Sequence, residues 1–267
     1  MSNRAKIRDE AKKLNPIDDL MFRKMAEEKK FCEEILRVIL SDSKLVVLET
    51  IVQWQGTNLM GRSVILDAKC SLSDGRIINI EVQKANDDNH QKRVRYNGAI
   101  LTTNITDPGK KFENVPDICV VFISKFDIFG GNHSLYHVDR VVRENGKIIN
   151  NGFEEIYVNT KIKDGSEVSE LMEVFSNDNA YNSKFPVTSE SKRRYKETEG
   201  GQQIMCEIME RIATEERAEG AAAATARINK LNTILIGQKR FEDLERSAVD
   251  YDYQQQLLNE LVPEEQQ

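Results

Sequence analysis

The stretch VILDAKCSLSDGRIINIEVQK, residues 64–84, constrains the chain more than any other. On both sides of Ser73-Asp74-Gly75 apolar and polar residues alternate with the period of two that marks a half-buried β-strand. Val64, Leu66, Ala68, Cys70 and Leu72 fall on one face of the first strand, and Ile78, Ile80 and Val82 on one face of the second. A three-residue loop, with Gly75 at the positive φ that glycine tolerates, pairs Leu72 with Arg76 and carries the register to Asp67 opposite Glu81. A two-residue Asp-Gly turn would pair Asp67 with Val82 and mix the faces, so the hydrophobic pattern rejects it. The polar face then holds Asp67, Lys69 and Ser71 beside Asn79, Glu81 and Gln83. Two carboxylates across an antiparallel pair sit about 5 Å apart at Cβ and repel. A divalent cation such as Mg²⁺, held by carboxylates and waters, reverses that sign and can activate water against a phosphodiester. An ordinary solvated face is the other reading, and the residues alone leave both open.

The flanking pattern places this hairpin in a mixed α/β fold. Asn15-Pro16-Ile17-Asp18 reads as a helix entry, with Asp18 able to cap the first turn. Leu20, Met21, Met25, Phe31, Ile35, Val38 and Ile39 then recur at helical spacing, with a polar break at residues 27–30 that gives two short helices or one kinked one. Residues 45–51 and 117–124 are strand-like, and residues 88–103 supply a helix long enough for a crossover between the hairpin and the latter strand. Helix, strand, hairpin, helix, strand implies a mixed sheet with helices packed on it. Residues 135–142 and 153–158, separated by Gly turns, read as an annex of edge strands; helix resumes at Glu167, and residues 185–191 read as a linker. Residues 201–239 form a long helix and residues 241–261 one or two short amphipathic ones, so the expected domains are a core at 1–196 and a helical extension at 197–267. That extension is read either as an oligomerisation or docking element, making a homo-oligomer, or as a helical cap.

Charge distribution decides more than the net charge of −6. Residues 197–267 carry 7 Lys and Arg against 15 Asp and Glu, a charge of −8, which leaves +2 for residues 1–196. Between Lys84 and Lys111 there are 6 basic and 3 acidic side chains, so a local basic surface is compatible with the acidic total. No run approaches the roughly 18 apolar residues of a membrane span, and residues 1–15 lack an apolar signal core, so the expectation is a cytoplasmic protein without a membrane partner. Cys32, Cys70, Cys119 and Cys206 lie far apart without metal-ligand spacing, and are read as reduced core residues. His90, His133 and His137 receive no role. An acid/base glycosidase reading of the two carboxylates ranks last, because 7% aromatic content with Trp54 alone as tryptophan offers little sugar-stacking surface.

Asp67, the turn and Glu81-Val82-Gln83 resemble the core of the PD-(D/E)XK nuclease superfamily, and within it the PD-(D/E)XK nuclease family transposases, the Rpn recombination-promoting nucleases. DDLMFRKM at 18–25 is similar to that family's opening D-x-x-F-K helix, with Arg23 in place of Lys, and KRVRYNGAIL at 92–101 to its R-x-R-Y-Y helix. VPDICVVFISKFDIFG at 115–130, the region from Leu135 to Thr160, and MCEIMERIATEERAEG at 205–220 follow in the family's order. The resemblance implies a restriction-endonuclease-like mixed sheet and Mg²⁺-dependent DNA cleavage in recombination, mobile-element biology or defence. It implies Asp67 and Glu81 as catalytic metal ligands, the carbonyl of Val82 as a third, and Asp19 as either a further ligand or a helix cap. Gln83 stands where the wider superfamily has Lys. A neutral amide positions water or a phosphate oxygen but does not neutralise developing charge. Lys69 shares the polar face and is read either as the missing cation or as a plain solvent lysine. Arg93, Arg95, Lys69 and Lys84 are the candidate DNA contacts, with Arg93 open to two roles, phosphate contact or ion pair with Asp87, Asp88 or Glu81. The alternative function is a DNA-binding or protein-interaction module whose nuclease site has decayed.

Overall fold

The computed structural model describes residues 3–263. After α1 (Asn3–Ala11), helices α2 (Asp19–Ala26) and α3 (Lys29–Ile39) lead into β1 (Val47–Gly56), β2 (Val64–Leu72) and β3 (Ile77–Gln83). The crossover helix α4 (His90–Ile105) connects to β4 (Ile118–Ser124), followed by β5 (Leu135–Val138), β6 (Arg140–Val142), β7 (Lys147–Ile149) and β8 (Phe153–Asn159). Helices α5 (Glu167–Ser176), α6 (Pro186–Glu197), α7 (Glu199–Gly237), α8 (Phe241–Val249) and α9 (Tyr251–Leu261) complete the chain.

The main sheet has the order β1-β2-β3-β4-β8-β5, antiparallel at both ends and parallel from β3 through β8. β4 is apolar on both faces because it lies inside the parallel part, where helices and loops cover both sides. On one side α3 buries Phe31, Cys32, Ile35, Leu36 and Ile39, the spacing of one helical face. On the other, α4 buries Val94 against Val120, Phe122, Phe126 and Tyr157. Gly98 makes this approach possible, since a Cβ there would fall 2.3 Å from the Phe153 ring. Both turns of the helix–strand–hairpin reading hold: α2 and α3 are separate helices, and Gly75 has φ +93° in a loop where Leu72 N–H donates to the Arg76 carbonyl.

Three expectations are corrected. Residues 153–158 are no edge annex: β8 pairs in parallel with β4 and lies between β4 and β5, while the 135–142 run breaks at Asp139 into β5 and the separate β6–β7 ribbon. Residues 185–191 are no linker, for Phe185 is 1% exposed and Pro186 opens α6. The caps that stabilise α6 come from distant residues: the Glu34 carboxylate accepts the Val187 and Thr188 N–H groups at 3.0 and 2.7 Å. Buried Lys192 of α6 in turn donates to the carbonyls of Val174, Asn177 and Ala180 at the end of α5, and burial pushes its pKa down to about 8. Asp18 is the N-cap residue of α2 but makes no side-chain cap; it accepts instead from Asn15 N–H and Lys84 Nζ.

The chain forms two compact units, residues 1–206 and 207–267. The second has its own apolar centre, in which Leu231 and Leu235 of α7 pack with Leu257 and Leu258 of α9 and with Val262. All four cysteines are free, and Cys32, Cys70 and Cys119 are buried.

Candidate active site

The register read from the sequence is the register of the hairpin: Ala68 pairs with Ile80, Lys69 with Asn79, Cys70 with Ile78 and Ser71 with Ile77. The ladder stops one pair short of Asp67 and Glu81, and side chains replace it there. Asp67 Oδ2 accepts the Val82 N–H at 3.0 Å, and Glu81 Oε1 accepts the Asp67 N–H at 3.4 Å. Because N–H and C=O of one strand residue point to the same side, the Val82 carbonyl also faces the opened gap. β3 meanwhile remains paired to β4, with Glu81 opposite Phe122 and Val82 opposite Ile123.

The alternation expected for β2 fails at the same level, which corrects the single apolar face assigned to it. Val64 and Leu66 pack with Ile100 and Leu101 of α4, on the face of Glu81, whereas Cys70 lies against Cys32 of α3 on the opposite face. The matching irregularity in β1 is Gln53, at φ +50°; Val52 pairs with Ala68 and Trp54 with Leu66, while no pair joins Gln53 to Asp67. Both strands turn over together, so the register is kept while Asp67 leaves the regular pleat.

Asp67 and Glu81 are 6% and 1% exposed. Burial first, then the charge of Glu81, pushes the Asp67 carboxyl up to about 8. Burial also raises Glu81, against the lowering hydrogen bond from Asn79 and the charge of Arg93. Asn79 Nδ2 donates to Glu81 Oε1 at 3.0 Å and Arg93 Nη2 to Glu81 Oε2 at 3.2 Å. On the Asp67 side stands Arg23 of α2, its Nε 3.7 Å from Asp67 Oδ1 and its Nη2 2.5 Å from Asp19 Oδ2. Arg23 Nε is buried and makes no hydrogen bond. In the sequence Arg23 stands only as a variant of a motif lysine; the signal for its further role is its spacing of four from Asp19, which aims both along one helix face.

The other named residues divide as follows. Asp19 is half exposed and tied to Arg23, and among the described residues no three His, Cys, Asp or Glu side chains gather as a metal cluster. Gln83 accepts from Arg93 Nη1 at 3.2 Å and donates to the Ala85 carbonyl and Asp87, so its amide is held toward the start of α4. Arg93 takes the ion pair with Glu81 yet remains partly exposed. Arg95 is exposed on the outer side of α4. Lys84 pairs with Asp18, and Lys69 lies 5.7 Å over the Trp54 ring rather than at the acids. His90 is buried between Phe122 and Phe126, and burial lowers its pKa.

Two buried carboxylates of raised pKa and a strand carbonyl freed from its ladder form an all-oxygen donor set, and a hard divalent ion completing its shell with water fits that set. No curated protein matches the chain. A family model described as PD-(D/E)XK nuclease family transposase matches residues 16–180, from the turn before α2 to just past α5. With Asp67 and Glu81-Val82-Gln83 brought to one opened end of a mixed sheet inside that span, the chain belongs to the PD-(D/E)XK nuclease family transposases.

Proposed function

We propose that the protein is a divalent-metal-dependent DNA endonuclease, acting in the cytoplasm in recombination, mobile-element biology or defence. The observation that carries this reading is the opening of the β2–β3 ladder, which places two buried carboxylates and the Val82 peptide group around one gap. Asp67, Glu81 and the Val82 carbonyl would hold the ion. When bound, it supplies Lewis-acid activation of water and of the phosphodiester. Asn79 and Arg93 fix Glu81 from its two oxygens, which sets its orientation before substrate arrives. Arg23 supplies the fixed positive charge that Gln83 lacks, its unbonded Nε being a donor aimed beside Asp67. Asp19 acts through Arg23, holding the guanidinium in place. Arg93 and Arg95 offer the α4 contacts to the DNA backbone, with Lys69 and Lys84 at the rim.

Purified protein incubated with supercoiled plasmid should nick it with Mg²⁺ and not with EDTA, and Asp67→Ala and Glu81→Ala should each lower the rate at least about 100-fold. Equal cutting by all three proteins would show the site to be elsewhere. One observation favours a decayed binding module instead: the Gln83 amide is fully engaged by Arg93, Ala85 and Asp87. DNA binding without cleavage under Mg²⁺, Mn²⁺ or Ca²⁺ would select that reading.

A further inference from the structure

The loop from β1 to β2, residues 57–63, holds two almost fully exposed apolar side chains, Leu59 at 92% and Met60 at 96%. Single exposed apolar residues are common and carry no meaning. Here two stand side by side on a loop built to be stiff. Thr57 N–H donates to Asn104 Oδ1 and its carbonyl accepts from Asn104 Nδ2, both at 3.1 Å, which clamps the loop base to α4. Asn58 accepts the Met60 N–H on Oδ1, donates from Nδ2 to the Tyr96 hydroxyl at 3.0 Å, and donates its own N–H to Ser63 Oγ. The Tyr96 hydroxyl then donates to the Arg62 carbonyl at 2.5 Å. These hydrogen bonds brace the loop with both side chains outward.

The loop also leads into the strand that carries Asp67. Asp67 lies three residues into β2, about 10 Å from its start at the usual strand rise. Tyr96 sits one helical turn beyond Arg93, so one segment of α4 braces both the loop and Glu81. Resting on the reading of the chain as a DNA-cutting enzyme, we propose that Leu59 and Met60 form an apolar wedge that enters a base step of duplex DNA near the bond to be cut. Leu and Met are suited to this role, since apolar side chains inserted between base pairs unstack and kink the duplex. A rigid mount removes the ordering cost that a mobile loop would add on binding. Exposed Arg62, in the same loop, meets the phosphates flanking the opened step. The enzyme accordingly prefers steps and lesions that unstack easily, such as TA, CA or a mismatch.

The test uses the full chain and duplexes carrying 2-aminopurine at successive positions, with Ca²⁺ replacing Mg²⁺ and strand integrity checked on a gel. The wild type should raise the probe's fluorescence at one step and bind a mismatched duplex several-fold more tightly than a matched one. Leu59→Ala/Met60→Ala should lose both effects with an unchanged melting temperature, because neither side chain packs on the fold, and Leu59→Met should retain them. DNA bound by the wild type without a fluorescence change, or with one that the double variant keeps, overturns the wedge and leaves the nuclease reading intact. Failure of the wild type to bind any duplex overturns both.

Discussion

At the scale of single residues the proposed site costs stability, because two carboxylates are buried side by side. Asp67 is ionised in the unfolded chain above about pH 4, while in the folded chain burial and the charge of Glu81 push its carboxyl up to about 8. Between those values the folded state binds a proton that the unfolded state has lost, so stability falls as pH rises through the window. Asp67→Asn keeps an acceptor for the Val82 N–H and removes the charge. It is expected to raise stability at pH 8 on the order of 1 to 3 kcal/mol and to change little near pH 4, read from thermal melts at both pH values. On the proposed reading metal and proton compete for the same two carboxylates, so Mg²⁺ affinity measured by calorimetry should climb from pH 6 to 8. Arg23→Ala should lower the cleavage rate by about 10²-fold or more with a smaller effect on DNA affinity, because the charge it supplies acts where charge develops. Arg23→Lys, which shortens the reach and removes the fork, should restore part of the rate. A variant with full activity would return Arg23 to a purely structural ion pair with Asp19.

Among the secondary-structure elements, the informative one is β1. Nothing in TIVQWQG marks Gln53 as irregular, yet its left-handed backbone is matched to the departure of Asp67 from the pleat. A non-glycine residue held there stores about 1 to 3 kcal/mol. Gln53→Gly should therefore keep metal-dependent cleavage and be at least as stable as the wild type. Gln53→Val, whose branched side chain disfavours positive φ, should either destabilise the fold by about 1 to 3 kcal/mol or restore a regular pair to Asp67 and remove metal binding. Cleavage assays and melts on the two variants separate these effects. The crossover helix has a similar demand at Gly98, where Gly98→Ala would push against Phe153 and the sheet. The single apolar face read for β2 failed because alternation tells which residues share a face only while the strand stays regular, and at Asp67 it does not.

For the whole molecule, the two compact units divide at Cys206 and Glu207, with an apolar centre in each. Chains ending at residue 206 should keep cooperative unfolding if the first centre suffices, and light scattering of this truncation against the full chain tells whether residues 207–267 set the oligomeric state. Among the described residues no helix is long and apolar enough to cross a membrane. The sequence by itself determined the elements whose signals are local: the period of two around Ser-Asp-Gly, the hairpin register fixed by Gly75, the helical spacing in α3 and α4, and through its motifs the family. Tertiary structure alone decided what depends on distant partners. β8 became an interior strand because β4 lay open to pair with it, and α6 formed where Glu34 and Phe185 cap and anchor it. Asp67 met Val82 and Arg23 because two strands turned over together, a choice made by burial against α2 and α4 that no single segment encodes.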